Sequence, residues 1–165
     1  MFDLKPISPD AIPEAISKAE RYRLLNEPWF AESICLDVLR IDPENQQASI
    51  VLLLSLTDQF GMGTRVTRAR EVLSKLTGEY ERCYYAGLIT ERWADSILRQ
   101  GSPGAGFTAY QGLRDAMDLY EKAEKLRPAA NDDAILRWNT CARMLMRNSE
   151  LRPRGEEEFE PAFDD

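Results

Sequence analysis

AESICLDVLRIDP at residues 31–43 is repeated in outline by AMDLYEKAEKLRP at residues 116–128. Both stretches begin with alanine, carry a bulky or soft residue four positions later and a small residue seven positions later, and reach proline at the end. Their apolar residues recur at three and four positions, which is the period of an α-helix that buries one face. Proline then ends the helix, because it disfavours helical backbone at the residue before it. The two stretches therefore predict equivalent helices in a repeated architecture.

Helical periodicity extends over nearly the whole chain, from residue 11 to residue 147. No segment alternates with the period of two that marks a half-buried β-strand. Glycine, proline or a cluster of polar residues interrupts the pattern at intervals, and short connections of this kind make successive helices antiparallel. We therefore expect an all-α fold built from helix hairpins. The predicted breaks lie at residues 26–28, 42–45, 61–64, 78, 101–106 and 128–132.

Small residues and prolines also follow a longer spacing through the chain. One set is Ala19, Tyr22, Ala31 and Pro43, and a second is Gly87, Ala116, Tyr120, Ala123 and Pro128. This pattern resembles the tetratricopeptide-repeat family, whose 34-residue helix-turn-helix units have small residues between the two helices and a proline after the second. The resemblance covers about residues 12–147 as three degenerate repeats, and the middle repeat matches weakly, since bulky Leu53 stands where a small residue is expected. It implies a right-handed superhelical stack of antiparallel helix hairpins, although a generic helical solenoid or bundle is the alternative.

The same resemblance divides the chain into three parts. Residues 1–10 are an N-terminal extension, residues 11–150 the repeat domain, and residues 151–165 an acidic tail. From residue 155 onward the tail has six acidic residues and no basic one, so it cannot bury enough apolar surface to offset its ordering entropy, and we expect it to be disordered. Alternatively, Phe159 and Phe163 make it a docking peptide, or it binds the arginines of the body.

The third hairpin, residues 79–127, is about 17 residues longer than a unit of that family. We expect it to project beyond the stack. Its far end carries four large apolar residues, Trp93, Ile97, Phe107 and Tyr110. These residues either pack on one another or form an exposed apolar tip that binds a partner or a second copy. The second case gives an alternative hypothesis, in which the chain is a structural protein that forms a homodimer through this tip.

The resemblance further implies a concave groove, lined by the first helix of each hairpin, that binds an extended or helical peptide. The groove-facing positions lie three before, one after and four after the small residue. In this chain they are Ile16, Glu20, Arg23, Ile50, Leu54, Thr57, Tyr84, Leu88 and Glu91. Only Arg23 is basic and the centre is apolar, so we expect a groove that selects apolar anchors rather than an acidic carboxyl terminus. The alternative is that neighbouring helices cover Ile50, Leu54 and Leu88.

The composition lacks the residues that many catalytic and metal sites need. The chain of 165 residues has no histidine, which excludes histidine-dependent triads and imidazole ligands to zinc. Its three cysteines are widely separated and odd in number, which is typical of a reducing cytoplasm. The glycine-rich turns at residues 61–63 and 101–106 follow helices and lack the lysine of a phosphate-binding loop. We therefore expect no cofactor and no metal.

The net charge of −7 resides almost entirely in the tail, and residues 1–154 carry 21 basic and 22 acidic residues. The body has no basic stripe interleaved with aromatic residues, so no specific nucleic-acid binding is expected. The longest apolar run, residues 50–54, is far shorter than the roughly 20 residues of a membrane span. Together these features predict a cytoplasmic, non-enzymatic scaffold or chaperone-like adaptor that binds a protein or peptide partner.

Overall fold

The computed structural model describes residues 2–155, and every regular element in that range is helical. A short 3₁₀ turn, Pro9–Ala11, leads into the first helix. The α-helices are α1 (Ile12–Leu24), α2 (Pro28–Ile41), α3 (Gln46–Asp58), α4 (Val66–Leu73), α5 (Glu79–Gln100), α6 (Ala105–Leu126) and α7 (Asp133–Arg147). The prediction of an all-α fold is confirmed. The predicted disorder of the acidic tail concerns mainly residues 156–165, which lie outside the described range.

The helices end where local backbone chemistry requires it. Pro28 stands in the first turn of α2, where its missing N–H leaves no hydrogen bond unmade. The side chain of Asn45 caps α3 by accepting a hydrogen bond from the backbone N–H of Ala48 at 2.9 Å. Gly101 and Gly104, between α5 and α6, have φ values of 66° and 78°, which glycine adopts without the penalty of a side chain. The loop of residues 101–104 thus reverses the chain tightly between the two longest helices.

Consecutive helices lie against each other along the whole chain, from α1 with α2 to α6 with α7. In addition, α1 contacts α3, and α3 contacts α5. The first helices of the three hairpins, α1/α2, α3/α4 and α5/α6, are therefore neighbours. A side-chain contact also connects α7 to α5, since Nη1 of Arg137 on α7 is 3.4 Å from the carboxylate of Glu91 on α5.

Helix α3 is buried on nearly all sides because α1, α2, α4 and α5 surround it. This explains why its sequence is apolar around its whole circumference, with Leu52, Leu53 and Leu56 at most 4% exposed. Although α3 is apolar, it is short. Within residues 2–155 no helix combines the length and the apolar character needed to cross a bilayer. A second apolar centre lies among α5, α6 and α7, and Tyr84 packs against both centres.

The third hairpin has the longest helices, with 22 residues each in α5 and α6 against 13 and 14 in α1 and α2. The segment that follows α7 packs against the first turn of α6. Leu151 is only 5% exposed, and the guanidinium of Arg152 lies 5.7 Å from the centre of the Phe107 ring. The body therefore extends beyond residue 150, and residues 151 and 152, assigned to the tail from sequence, belong to it.

Gly87 is a point of close contact between α5 and α6. A β-carbon at this position would lie 2.7 Å from Cε1 of Tyr120, whose ring is 1% exposed and cannot retreat into solvent. At Gly155, in contrast, a β-carbon would meet no neighbouring atom within 4 Å. A larger side chain would therefore clash at Gly87 but not at Gly155, so the second glycine can serve as a control for the first.

We predict that Gly87→Leu lowers the free energy of unfolding by about 1–3 kcal/mol or more, because it overfills the contact with Tyr120. Gly155→Leu is the control and should change stability by less than about 0.5 kcal/mol. Urea denaturation followed by circular dichroism measures both. Equal midpoints for Gly87→Leu and the unaltered chain would contradict the assigned contact.

Candidate functional site

The nine predicted groove residues differ widely in exposure. Four are buried (Ile16, Thr57, Leu88 and Glu91), four are half-buried (Arg23, Ile50, Leu54 and Tyr84), and Glu20 is exposed. Burial removes Ile16 and Leu88 from any surface that a partner could contact, while Ile50 and Leu54 pack against the core. Only Arg23, Thr57 and Glu91 come together at one concave surface.

That surface is a cleft of about 550 Å³ between the C-terminal parts of α1, α3 and α5 and the side of α7 that carries Arg137 and Met144. We call it the charged cleft, because ionisable side chains make up most of its wall. Its charged residues are Arg23, Asp58, Glu91, Arg92, Asp95, Arg99 and Arg137. Leu24, Phe60 and Met144 supply apolar patches at its margin. The lining therefore contains four arginines and three carboxylates.

Asp58 joins three helices at the centre of the charged cleft. Nε of Arg23 on α1 donates to its Oδ2 at 2.7 Å, and Nη1 of Arg92 on α5 donates to its Oδ1. The Asp58 side chain is 17% exposed, so these bonds are partly shielded from water and stronger than surface ion pairs. The two guanidinium groups are consequently held in place before any ligand arrives.

Glu91 makes the corresponding connection among α5, α6 and α7. The Tyr120 hydroxyl donates to Oε2 of Glu91 at 2.5 Å, and Nη1 of Arg137 lies 3.4 Å from Oε1. Burial and the neighbouring Glu91 carboxylate raise the pKa of Tyr120 well above its usual value, so the hydroxyl keeps its proton. Burial lowers the pKa of Arg137, but the negative charge of Glu91 outweighs it, and the pKa of Arg137 is raised. Arg137 therefore remains a cation at the wall of the charged cleft.

In each ion pair of the charged cleft, the arginine is more exposed than the carboxylate. The side-chain exposures are 20% and 30% for Arg23 and Arg92 against 17% for their shared Asp58. Arg99 is 79% exposed and its partner Asp95 34%, while Arg137 is 27% exposed and Glu91 8%. A guanidinium has five N–H donors, of which these contacts use only some. The charged cleft thus presents mainly positive hydrogen-bond donors to solvent.

An exposed apolar group adjoins the charged cleft at the turn between α1 and α2. Leu24, Leu25, Trp29 and Phe30 are 87%, 68%, 64% and 45% exposed, and we call them the apolar edge. Leu24 also lines the charged cleft. Trp29 and Phe30 meet edge to face at 4.8 Å between ring centres, and Phe30 stacks on Tyr22 at 5.2 Å. These contacts hold the aromatic rings in place without covering them.

The four predicted tip residues, Trp93, Ile97, Phe107 and Tyr110, are all half-buried. Trp93 lies over Gly112, where a β-carbon would come within 3.2 Å of the indole ring. The chain's own segment after α7 covers Phe107, since Arg152 lies over the ring and the Glu150 carbonyl abuts Gly106. Dimerisation through this tip stays a prediction, and it would require that segment to move from Phe107.

The cysteines are placed for packing and not for nucleophilic chemistry. Cys35 and Cys141 are buried, and burial is the main cause that raises the pKa of each thiol to about 12. At neutral pH both are therefore protonated, whereas the thiolate is the nucleophilic form. Within residues 2–155, no three Cys, Asp or Glu side chains come close enough together to hold a metal ion.

Sequence reasoning missed Asp58, Arg92, Arg99 and Arg137. Two of them directly follow predicted residues, since Asp58 comes after Thr57 and Arg92 after Glu91. A usable signal was present: Arg23 and Asp58 are 35 residues apart, and Asp58 and Arg92 are 34 apart. These opposite charges, about 34 residues apart, lie on the neighbouring helices α1, α3 and α5, where they pair.

We predict that Tyr120→Phe lowers the free energy of unfolding by about 1–3 kcal/mol, because the buried Glu91 carboxylate loses its donor. Tyr110→Phe is the matched control, because Tyr110 is half-buried in the same helix and its hydroxyl bonds to none of the described residues. Thermal unfolding of the two variants measures the difference. Equal losses in both would show that the bond to Glu91 contributes nothing specific.

We also predict that iodoacetamide at pH 8 leaves Cys35 and Cys141 unlabelled in the folded protein and labels both after unfolding. The half-buried Cys83 should react first. Peptide mass spectrometry after timed labelling identifies each site. Labelling of Cys35 or Cys141 at the rate of the unfolded chain would contradict their burial.

The comparisons with known proteins found no match: no protein-family model, no curated protein and no solved structure corresponds to this chain. The function proposed for the chain therefore has to follow from its own residues and geometry.

Proposed function

We propose that the chain is a non-enzymatic protein-interaction module whose charged cleft binds an acidic segment of a partner protein. The observation that carries the proposal is the outward position of the arginines in each ion pair of the cleft. A scaffold or chaperone-like adaptor needs such a preformed surface and no reacting groups. Protein segments with carboxylate side chains have the charge and the acceptor geometry that guanidinium groups bind best.

The helix contacts support an arrangement like that of tetratricopeptide repeats. The first helices α1, α3 and α5 are neighbours, as expected in a right-handed stack of hairpins. The bonds of Asp58 to Arg23 and Arg92 connect equivalent places one repeat length apart. We take this stack, with its concave side formed by α1, α3, α5 and α7, as the frame of the proposed binding surface.

The kind of anchor differs from the one expected from sequence. Apolar anchors in the middle of the groove would need Ile50, Leu54 and Leu88, but Leu88 is buried and the other two pack against the core. Apolar side chains of a partner instead have a place at the apolar edge, where Leu24 and Trp29 are more than half exposed. A matching segment would thus combine carboxylates for the charged cleft with an aromatic or aliphatic residue for the apolar edge.

Preorganisation favours binding to the charged cleft. Long side chains normally lose about 0.5–1.5 kcal/mol of rotamer entropy each when a ligand immobilises them. The bonds to Asp58 already restrict Arg23 and Arg92, so a partner does not have to order them again. Because Arg92 and Arg23 are only partly exposed, their bonds to a ligand are screened by salt less than those of surface charges.

Peptide display against the full chain tests the proposal. We expect enrichment of peptides that contain several acidic residues together with an aromatic or aliphatic one. Arg99→Gln should weaken the binding of the selected peptides about tenfold, because it removes the most exposed donor of the charged cleft. Arg114→Gln, an exposed change on α6 outside the cleft, should leave it unaltered. Selected peptides without acidic residues, or equal effects of the two variants, would contradict the proposal.

A further inference from the structure

The ten residues that follow the described body, 156–165, have the sequence EEEFEPAFDD. They combine six carboxylates with two phenylalanines, which are the two kinds of group that the charged cleft and the apolar edge would bind. We propose that the charged cleft binds this segment of its own chain, and that a partner must displace it. The inference rests on the proposed function, because it assigns a competing ligand to the same site.

The place where the segment begins supports this inference. Arg152 lies over Phe107 and shares a surface pocket with Leu98 near the end of α5. The next residue of α5, Arg99, lines the charged cleft. Arg152, four residues before the segment, therefore lies near the end of α5 that carries Arg99, the most exposed arginine of the cleft.

The length of the segment is sufficient for the site. Ten residues in extended form span up to about 33 Å. The part of α5 that lines the charged cleft runs from Glu91 to Arg99, which is about 12 Å of helix. The segment can therefore follow the cleft along α5 and still reach across towards α3 and α1.

Charge complementarity favours this ligand over an uncharged one. The six acids of the segment complement a cleft in which each guanidinium group is more exposed than the carboxylate it pairs with. The sequence that leads to the segment is itself basic, with five arginines and one acidic residue between positions 134 and 154. The opposite charges of this region and the segment favour association of the segment with the body.

The two phenylalanines give the segment a second means of attachment. Phe159 and Phe163 lie four residues apart, and the apolar edge offers the exposed side chains of Leu24, Leu25 and Trp29 next to the charged cleft. A phenylalanine packed on Trp29 or Leu25 would remove apolar surface of both side chains from water. Each Å² of apolar surface buried in this way stabilises the bound state by about 25 cal/mol. Carboxylates alone would not distinguish this segment from any other acidic peptide.

Binding within one chain changes how the module meets its partners. A ligand tethered by a short linker has an effective concentration of the order of millimolar. The apparent Kd of a partner therefore rises by a factor of one plus the ratio of this concentration to the segment's own Kd, which excludes weakly binding acidic peptides from the charged cleft. The acidic segment would thus set a threshold for partner binding.

Fluorescence anisotropy with a labelled EEEFEPAFDD peptide tests this inference on full-length proteins. One protein is the unaltered chain, and the other carries Gln or Asn at the six acidic positions of 156–165 with Phe159→Ser and Phe163→Ser. We expect the altered chain to bind the peptide about tenfold more tightly, because its own segment no longer competes. Adding Arg99→Gln to the altered chain should reduce that affinity about tenfold, whereas adding Arg114→Gln should not.

A second peptide, in which serine replaces both phenylalanines, should bind the altered chain at least about fivefold more weakly. Equal affinities of the unaltered and the altered chain for the original peptide, or no binding to either, would overturn the inference. The peptide display described above keeps the two proposals separate. A cleft that selects acidic peptides but does not bind its own segment refutes only the inference, and a cleft that binds neither refutes both.

Discussion

The bonds of Asp58 to Arg23 and Arg92 hold three first helices side by side, and the other contacts of the charged cleft follow from them. Glu91, which precedes Arg92, extends the connection through Tyr120 and Arg137 to the last two helices. Removing one partner of a buried pair leaves a charge without compensation, which costs more than the intact pair contributes. The same few side chains therefore help to hold the helices together and form the wall of the charged cleft.

An apolar contact at this place would give similar stability without the cost of burying charges. The helices in contact also bury Ala19, Leu53 and Leu88, so apolar packing contributes to their cohesion together with the ion pairs. What the ion pairs add is a set of fixed guanidinium groups at the surface. This is the physical reason for associating the charged cleft with binding rather than with stability alone.

The helices could be predicted from sequence because their information is local. Periodicity and the residues at the helix ends predicted α3 at residues 46–58, and the small residue Gly87 predicted a close helix contact, which α5 makes with α6. The residues of the candidate site were harder to predict from sequence, because the burial of a side chain depends on which neighbouring helices cover it. Ile16 and Leu88 have the spacing of groove residues, yet adjacent helices enclose them. The resemblance to tetratricopeptide repeats stays a prediction, supported by the contacts among first helices.

The arrangement of charges also restricts what the cleft can bind. A ligand that drew Arg92 or Arg137 away from its carboxylate would leave Asp58 or Glu91, both largely shielded from water, with one donor fewer, so the ligand has to share donors with these carboxylates. A single small anion gains little from shared donors. A segment with several carboxylates gains from many such contacts spread over the cleft, and a neighbouring apolar side chain adds contact area at the apolar edge. The geometry therefore favours a polypeptide over an isolated ion as the ligand of this surface.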